Sequence, residues 1–289
     1  MLVPRPRRHL KWWIATLLFF ATLINYLDRQ TLAVATPAIA AEFGLRNQDV
    51  AFVNNAFTAA YTLGQLLAGK LMDLTGTRLG FLLIMVFWSS AGMLCATAQG
   101  VASLGLFRFL LGLGEAGNWP VAVKAVSEWF PARLRGLAVA YFSSGSGVGA
   151  MLAPVLIAQI ILWAGWRAAF LIIGLTGFLW LPFWLRFYRP PARHPLISRQ
   201  ELAEIASETP PTSAAAQPFG AMLREWAGLL RYRQIWGVLL VRFFSDAILW
   251  FYIQWLPKYF ADERGYSMED IRNRLWIVFL PAIFAALAG

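Results

Sequence analysis

Apolar positions in this chain come in long unbroken blocks rather than in alternation. The first runs from about Trp12 to Ala35, followed by blocks near 50–72, 79–98, 101–123, 136–162 and 168–187. A polar stretch intervenes before a seventh block at about 235–257, and an eighth begins near 271 and is still apolar at Gly289. Each is close to the ~20 residues that a helix needs to cross a bilayer. A membrane β-barrel would instead alternate apolar and polar residues along every strand. The pattern predicts an all-α polytopic membrane protein with six spans, a polar segment and the start of a second set of spans.

The polar positions between blocks set the topology. Arg5, Arg7, Arg8 and Lys11 precede the first block, which is too long for the ~7–15-residue apolar core of a signal peptide and so reads as a span. If the spans alternate, that arm shares a side with Lys70, Arg78, Lys124, Arg133, Arg135 and a run of arginines from Arg186 to Arg233. The opposite side carries Arg46, Arg167, Lys258, Arg264, Arg272 and Arg274, the last four among Asp262, Glu263, Glu269 and Asp270. The bias of Lys and Arg toward the cytoplasm then predicts a cytoplasmic N-terminus in the inner (plasma) membrane. Residues 188–233 hold Pro190, Pro191, Pro195, Pro210, Pro211 and Pro218, with a charged helix predicted at Ser198–Glu208, where Ser198 and Glu201 have capping-box spacing. The expected division is therefore a six-helix bundle over 1–187, a cytoplasmic connector over 188–233 and the start of a second bundle over 234–289.

Composition agrees with the block pattern. Hydrophobic residues make up 59% and charged residues only 14%, and the mean hydropathy is +0.57. The net charge of +10 sits in short loops between apolar blocks, which argues against nucleic acid as a partner. The one cysteine, Cys95, rules out a disulfide within this sequence, and His9 and His194 both lie in polar segments. The residues offer no nucleophile–base pairing, phosphate-binding loop or metal-ligand cluster, so no catalytic residue, cofactor or metal is expected.

Four charges interrupt the apolar blocks at Asp28, Arg29, Arg108 and Glu115. A charge at bilayer depth costs at least about 2.5–3.5 kcal/mol, so it normally faces a pathway or a partner. Arg108 and Glu115 stand almost two helical turns apart on one face, roughly 10 Å along the axis. That spacing suggests a guanidinium for an organic anion and a protonatable carboxyl on one span. Asp28 and Arg29 project about 100° apart, so one can face a cavity while the other touches a neighbouring helix. Tyr61 and Gln65, one turn apart, can hydrogen-bond a polyol or carboxylate, whereas Arg242 and Asp246 read as an i,i+4 ion pair. Gly112, Gly114, Gly117, Gly145 and Gly149 predict close helix packing.

The loop Gly69-Lys-Leu-Met-Asp73-Leu-Thr-Gly76-Thr-Arg78 resembles the signature loop of the major facilitator superfamily. The stretches Asn25–Thr31, Arg108–Pro120 and Ser127–Pro131 narrow the likeness to the anion:cation symporters, and Arg242–Pro257 is most similar to hexuronate carriers. The resemblance implies a major facilitator fold whose N-terminal bundle is followed here by two helices of a C-terminal bundle. It also implies proton-coupled import of a sugar acid by alternating access. Asp28 and Glu115 would be the proton-coupling groups, and Arg29 and Arg108 would hold or gate those carboxylates, with one of them engaging the anion. Protonation of Glu115 would release Arg108. Tyr61 would line the cavity, and Gly69, Asp73, Gly76 and Arg78 would form a conformational latch. Twelve spans are implied, so the remainder of the second half would come from a longer reading frame or a partner chain. Export of another organic anion or drug, and a truncated protein without transport activity, are the alternative readings.

Overall fold

A computed structural model of the chain describes residues 10–208, 220, 224 and 227–279. Its helices are α1 (Leu10–Phe43), α2 (Asn47–Leu94), α3 (Val101–Glu115), α4 (Asn118–Trp129), α5 (Ala132–Phe187), α6 (Arg199–Glu208), α7 (Arg233–Arg264) and α8 (Met268–Arg274). There is no strand among the described residues. The chain is an all-α, multi-pass membrane protein.

Two of these helices are far too long for one crossing. α2 has 48 residues and α5 has 56, which at 1.5 Å per residue exceeds twice the ~30 Å hydrocarbon layer. Each contains one glycine in a backbone state that L-residues avoid: Gly76 at φ 72°, ψ 162° and Gly165 at φ 80°, ψ 170°. These glycines end one span and start the next, so α2 supplies spans two and three, and α5 spans five and six. The fourth span differs from the single run expected over 101–123. It breaks at Ala116–Gly117 into α3 and α4, because Pro120 has no N–H to give the carbonyl of Ala116.

Helix ends overrun the apolar blocks by several residues, as α1 does in reaching Phe43. The predicted helix after Pro195 is present, with the Glu201 N–H donating to the Ser198 hydroxyl at 3.0 Å. The eighth block opens at α8, capped by Ser267, and continues as a 3-10 segment at Leu275–Phe279. The rest of that block lies outside the described residues.

Glycines set the distance between spans. A Cβ on Gly112 would lie 2.4 Å from the Phe57 carbonyl oxygen, and one on Gly64 would lie 2.7 Å from that of Leu113. Gly145 and Gly149 stand in the same relation to the carbonyls of Phe19 and Leu23, at 2.4 and 2.8 Å. Spans two and four, and one and five, therefore meet backbone to backbone.

The basic loops gather at one end. There Lys124 pairs with Asp73 at 3.0 Å, and Glu204 of α6 binds both Lys11 and Arg133. An aromatic stack of Trp180, Trp184 and Tyr188, with centroids 5.2 and 4.0 Å apart, closes the base of this end. At the other end Arg167 grips Glu42 through both terminal nitrogens, at 3.0 and 2.7 Å.

Candidate functional site

All four intramembrane charges are buried in one region between α1, α2 and α3, each at most 5% exposed. α1 brings Asn25, Asp28 and Arg29. α3 brings Arg108 in mid-helix and Glu115 as its last residue, where the break before Pro120 ends the helix.

The pairing differs from the sequence expectation. Glu115 does not hold Arg108; its Oε2 accepts from Arg29 Nε at 3.1 Å. Two turns of α3 keep Arg108 and Glu115 on one face but too far apart for a direct bridge. Arg29 reaches across from α1 to Glu115 instead. A second Arg29 nitrogen donates to Asn25 Oδ1 at 3.3 Å. The guanidinium is then enclosed by aromatic faces, with the rings of Tyr61, Trp250, Tyr26 and Phe57 at 4.7, 4.8, 4.9 and 5.7 Å. Such ring faces partly replace the water that burial removes.

Arg108 is in a different condition. Its guanidinium lies 4.3 Å from the Phe57 centroid, and its Nε and Nη1 have no hydrogen-bond partner among the described residues. Unsatisfied buried donors on a cation are costly and call for an acceptor. Asp28 points away from Arg29 toward span three, where a Cβ on Gly92 would sit 3.3 Å from its Oδ1. The two neighbours thus meet different helices, Arg29 the end of α3 and Asp28 span three.

Polar groups extend the region along α1. Asn118 donates to Thr22 at 3.3 Å, and Gln30 donates to the Ala150 carbonyl at 3.3 Å. Tyr61 stacks on Phe57 with centroids 5.9 Å apart and meets Trp250 of α7 at 5.8 Å. Gln65 is not drawn in; it is exposed one turn beyond Tyr61. Tyr26, Phe57 and Trp250 were not legible as site residues, because aromatic residues within an apolar block carry no mark of what they face.

Gly69, Asp73, Gly76 and Arg78 lie at the basic end, away from the buried charges. Asp73 and Arg78 do not form one clasp. Asp73 takes Lys124 of α4, while Arg78 donates to the Leu185 carbonyl at 2.6 Å and its own carbonyl accepts from the Trp184 indole at 3.0 Å. Gly76 supplies the turn between them, and Gly69 has open space beside it. Arg242 and Asp246 form the expected pair at 3.5 Å on an exposed face of α7.

A family model described as Major Facilitator Superfamily matches residues 18–289. The hexuronate transporter of Escherichia coli (strain K12) is 33% identical over 283 residues, covering 98% of this chain and 64% of that protein. The galacturonate transporter of Dickeya chrysanthemi is 32% identical over 278 residues, 96% of this chain and 79% of that protein. Among solved structures, a bacterial homolog to the human lysosomal transporter Spinster, inward-facing and unoccupied, superposes with a TM-score of 0.74 at 20% identity. That match covers 96% of this chain and 61% of the other. A D-xylose–proton symporter superposes with a TM-score of 0.61 at 16% identity, over 94% and 66% of the two chains. The chain therefore spans just under two-thirds of the hexuronate transporter's length.

Proposed function

The chain belongs to the major facilitator superfamily, a family of transporters rather than enzymes, and from that membership we propose that it imports a sugar acid with protons by alternating access. The observation that carries this reading is the buried group itself. A guanidinium with unpartnered donors, Arg108, lies beside a second guanidinium, Arg29, that a single protonatable carboxylate holds.

In this mechanism Arg108 takes the substrate carboxylate through its open nitrogens, two parallel N–H bonds being the strong geometry for such a pair. Glu115 holds Arg29 while ionised. When it takes a proton, the attraction drops and Arg29 can turn to the same anion or to the hydroxyls around it. Asp28 is the second coupling carboxyl, placed against span three. Tyr61 and Trp250 wall the site on the side of α7, and Gln65, exposed one turn beyond Tyr61, would meet substrate only outside the buried group. The relatives named as hexuronate and galacturonate transporters support a uronic acid as the substrate class.

Residues 1–187 form the first bundle, 188–233 the cytoplasmic connector and 234–289 the start of the second bundle. The N-terminus is cytoplasmic, in the inner membrane, because the basic loops share its end. Phe243, Phe244 and Ile248 of α7 are 71%, 65% and 60% exposed, a surface suited to further helices of the second bundle. Gly69, Asp73, Gly76 and Arg78 act as the latch, through separate ties to α4 and to the end of α5.

The test is uptake of labelled galacturonate by right-side-out vesicles containing the full-length gene product, with an inward proton gradient. Accumulation that a protonophore abolishes is the expected result. Uptake indifferent to the protonophore would refute proton coupling, and no uptake of any uronic acid would refute the substrate class.

A further inference from the structure

A second concentration of positive charge lies at the Gly76 turn, remote from the buried group. A cavity of about 620 Å³ opens there between the turn and the end of α5. Arg78, Arg189 and Arg193 border it, and its lining contains no carboxylate. The acidic side chains nearby are engaged elsewhere. Glu128 accepts from the Thr77 hydroxyl at 2.6 Å and from the Tyr188 hydroxyl, and Asp73 is paired with Lys124.

The three arginines have capacity to spare. Arg78 spends one terminal nitrogen on Leu185, but its Nε is buried without a partner among the described residues. Arg189 and Arg193 form no ion pair among the described residues. Guanidinium forks converging on a cavity match the tetrahedral oxygens of a phosphate, which they bind through paired hydrogen bonds. Three leucines share the wall with Thr75 and Thr77: Leu79 is 47% and Leu185 36% exposed, and Leu82 also lines the cavity. Arginines and exposed leucines lining one cavity suit an amphiphile, and basic pockets between spans are known places for lipid headgroups.

We infer that this cavity is a binding site for a phosphate-bearing anion, and that an anionic phospholipid supplies the phosphate, its glycerol and first acyl carbons lying along Leu79, Leu82 and Leu185. Inorganic phosphate shares the headgroup chemistry but cannot use the leucines. A lipid seated here bridges the Gly76 turn to the end of α5, adding to the two hydrogen bonds, Arg78 to the Leu185 carbonyl and Trp184 to the Arg78 carbonyl, that join them directly. The site does not draw on the transport reading, and its test reads binding rather than uptake.

The full-length gene product, purified in detergent with phosphatidylcholine, is heated with added phosphatidylglycerol, with more phosphatidylcholine, or with inorganic phosphate. Phosphatidylglycerol should raise Tm by ~3 °C, a shift typical of a ligand well above its Kd. The Arg189→Gln/Arg193→Gln variant should keep its Tm in phosphatidylcholine and lose that shift. A second readout is native mass spectrometry of the wild-type protein, which should retain phosphatidylglycerol in preference to phosphatidylcholine. If the double variant does not fold, Arg193→Gln alone, at an exposed position, takes its place. A shift reproduced by inorganic phosphate would support the anion site and assign it to a soluble source. Equal shifts from both lipids, or a full shift in the variant, would overturn the proposal.

Discussion

Replacing Glu115 by Gln separates the charge of this residue from its shape. The amide keeps an oxygen for Arg29 Nε, so the 3.1 Å contact can survive while the ion pair does not. At that separation the Coulomb attraction is about 5 kcal/mol with an effective dielectric near 20. Against this loss, the neutral hydrogen bond returns ~1 kcal/mol. Removing a buried carboxylate also removes its desolvation cost, several kcal/mol in a dry interior. Four aromatic faces between 4.7 and 5.7 Å still shield Arg29. The fall in stability should therefore stay near ~2 kcal/mol, below the 3–5 kcal/mol of a stranded buried charge. For a protein of this size that is a drop in Tm of about 5 °C. Function should split. The variant is fixed in the uncharged form of Glu115, so it should still exchange labelled galacturonate for unlabelled galacturonate across the vesicle membrane. It should not concentrate substrate on an imposed proton gradient. Both assays run on the same vesicles. Accumulation with undiminished proton dependence would refute the assignment and move coupling to Asp28. Loss of exchange together with accumulation would make Glu115 a binding residue instead.

Arg108→Lys keeps the charge but loses the fork, and should raise KM for uptake by ~10–100-fold, the worth of one charged hydrogen bond; an unchanged KM would remove Arg108 from the substrate site. Gly145→Ala places a methyl group 2.4 Å from the Phe19 carbonyl oxygen and should cost about 1–3 kcal/mol through overpacking. Thermal unfolding checks this against Gly69→Ala, whose Cβ meets nothing within 4 Å; equal effects would contradict the backbone contact of spans one and five. Glu204 is held below the ordinary glutamate value of 4.5, first by its hydrogen bond from Arg133 and then by Lys11. A carboxylate lowered in the folded state stabilises docking above its unfolded pKa and loses that contribution as pH falls through the folded one. Hydrogen-exchange protection of residues 199–208 should accordingly hold from neutral pH to about 4.5 and decline below it. A decline between pH 7 and 5 would place the responsible group elsewhere.

Which features were legible depends on where the physics is local. Span existence rests on twenty apolar residues in a row, and the breaks at Gly76 and Gly165 sit between blocks already separated by polar positions. The break at Ala116–Gly117 was hidden, because Pro120 lies inside an unbroken apolar run and proline is tolerated in many spans. The buried charges announced themselves by cost alone. Their pairing did not, since whether Arg29 or Arg108 meets Glu115 depends on how α1 leans on α3, and sequence spacing speaks only for residues on one helix. Asp28 was easier to read: adjacency to Arg29 fixed the divergence, and the structure only had to supply span three. Trp250 illustrates the remaining difficulty, a packing residue by composition that becomes a wall of the site through contact between α7 and α1.

The clasp of Glu204 on Lys11 and Arg133 also orders events during synthesis. All three of these residues are encoded before Arg233, where α7 begins. The first six spans and α6 can therefore close their own basic face while α7 is still untranslated, without borrowing a residue from it. Domains that emerge first generally fold first, and here the early half carries its own fastening. Helices leaving the ribosome later meet a finished surface to assemble against rather than a set of loose loops to complete.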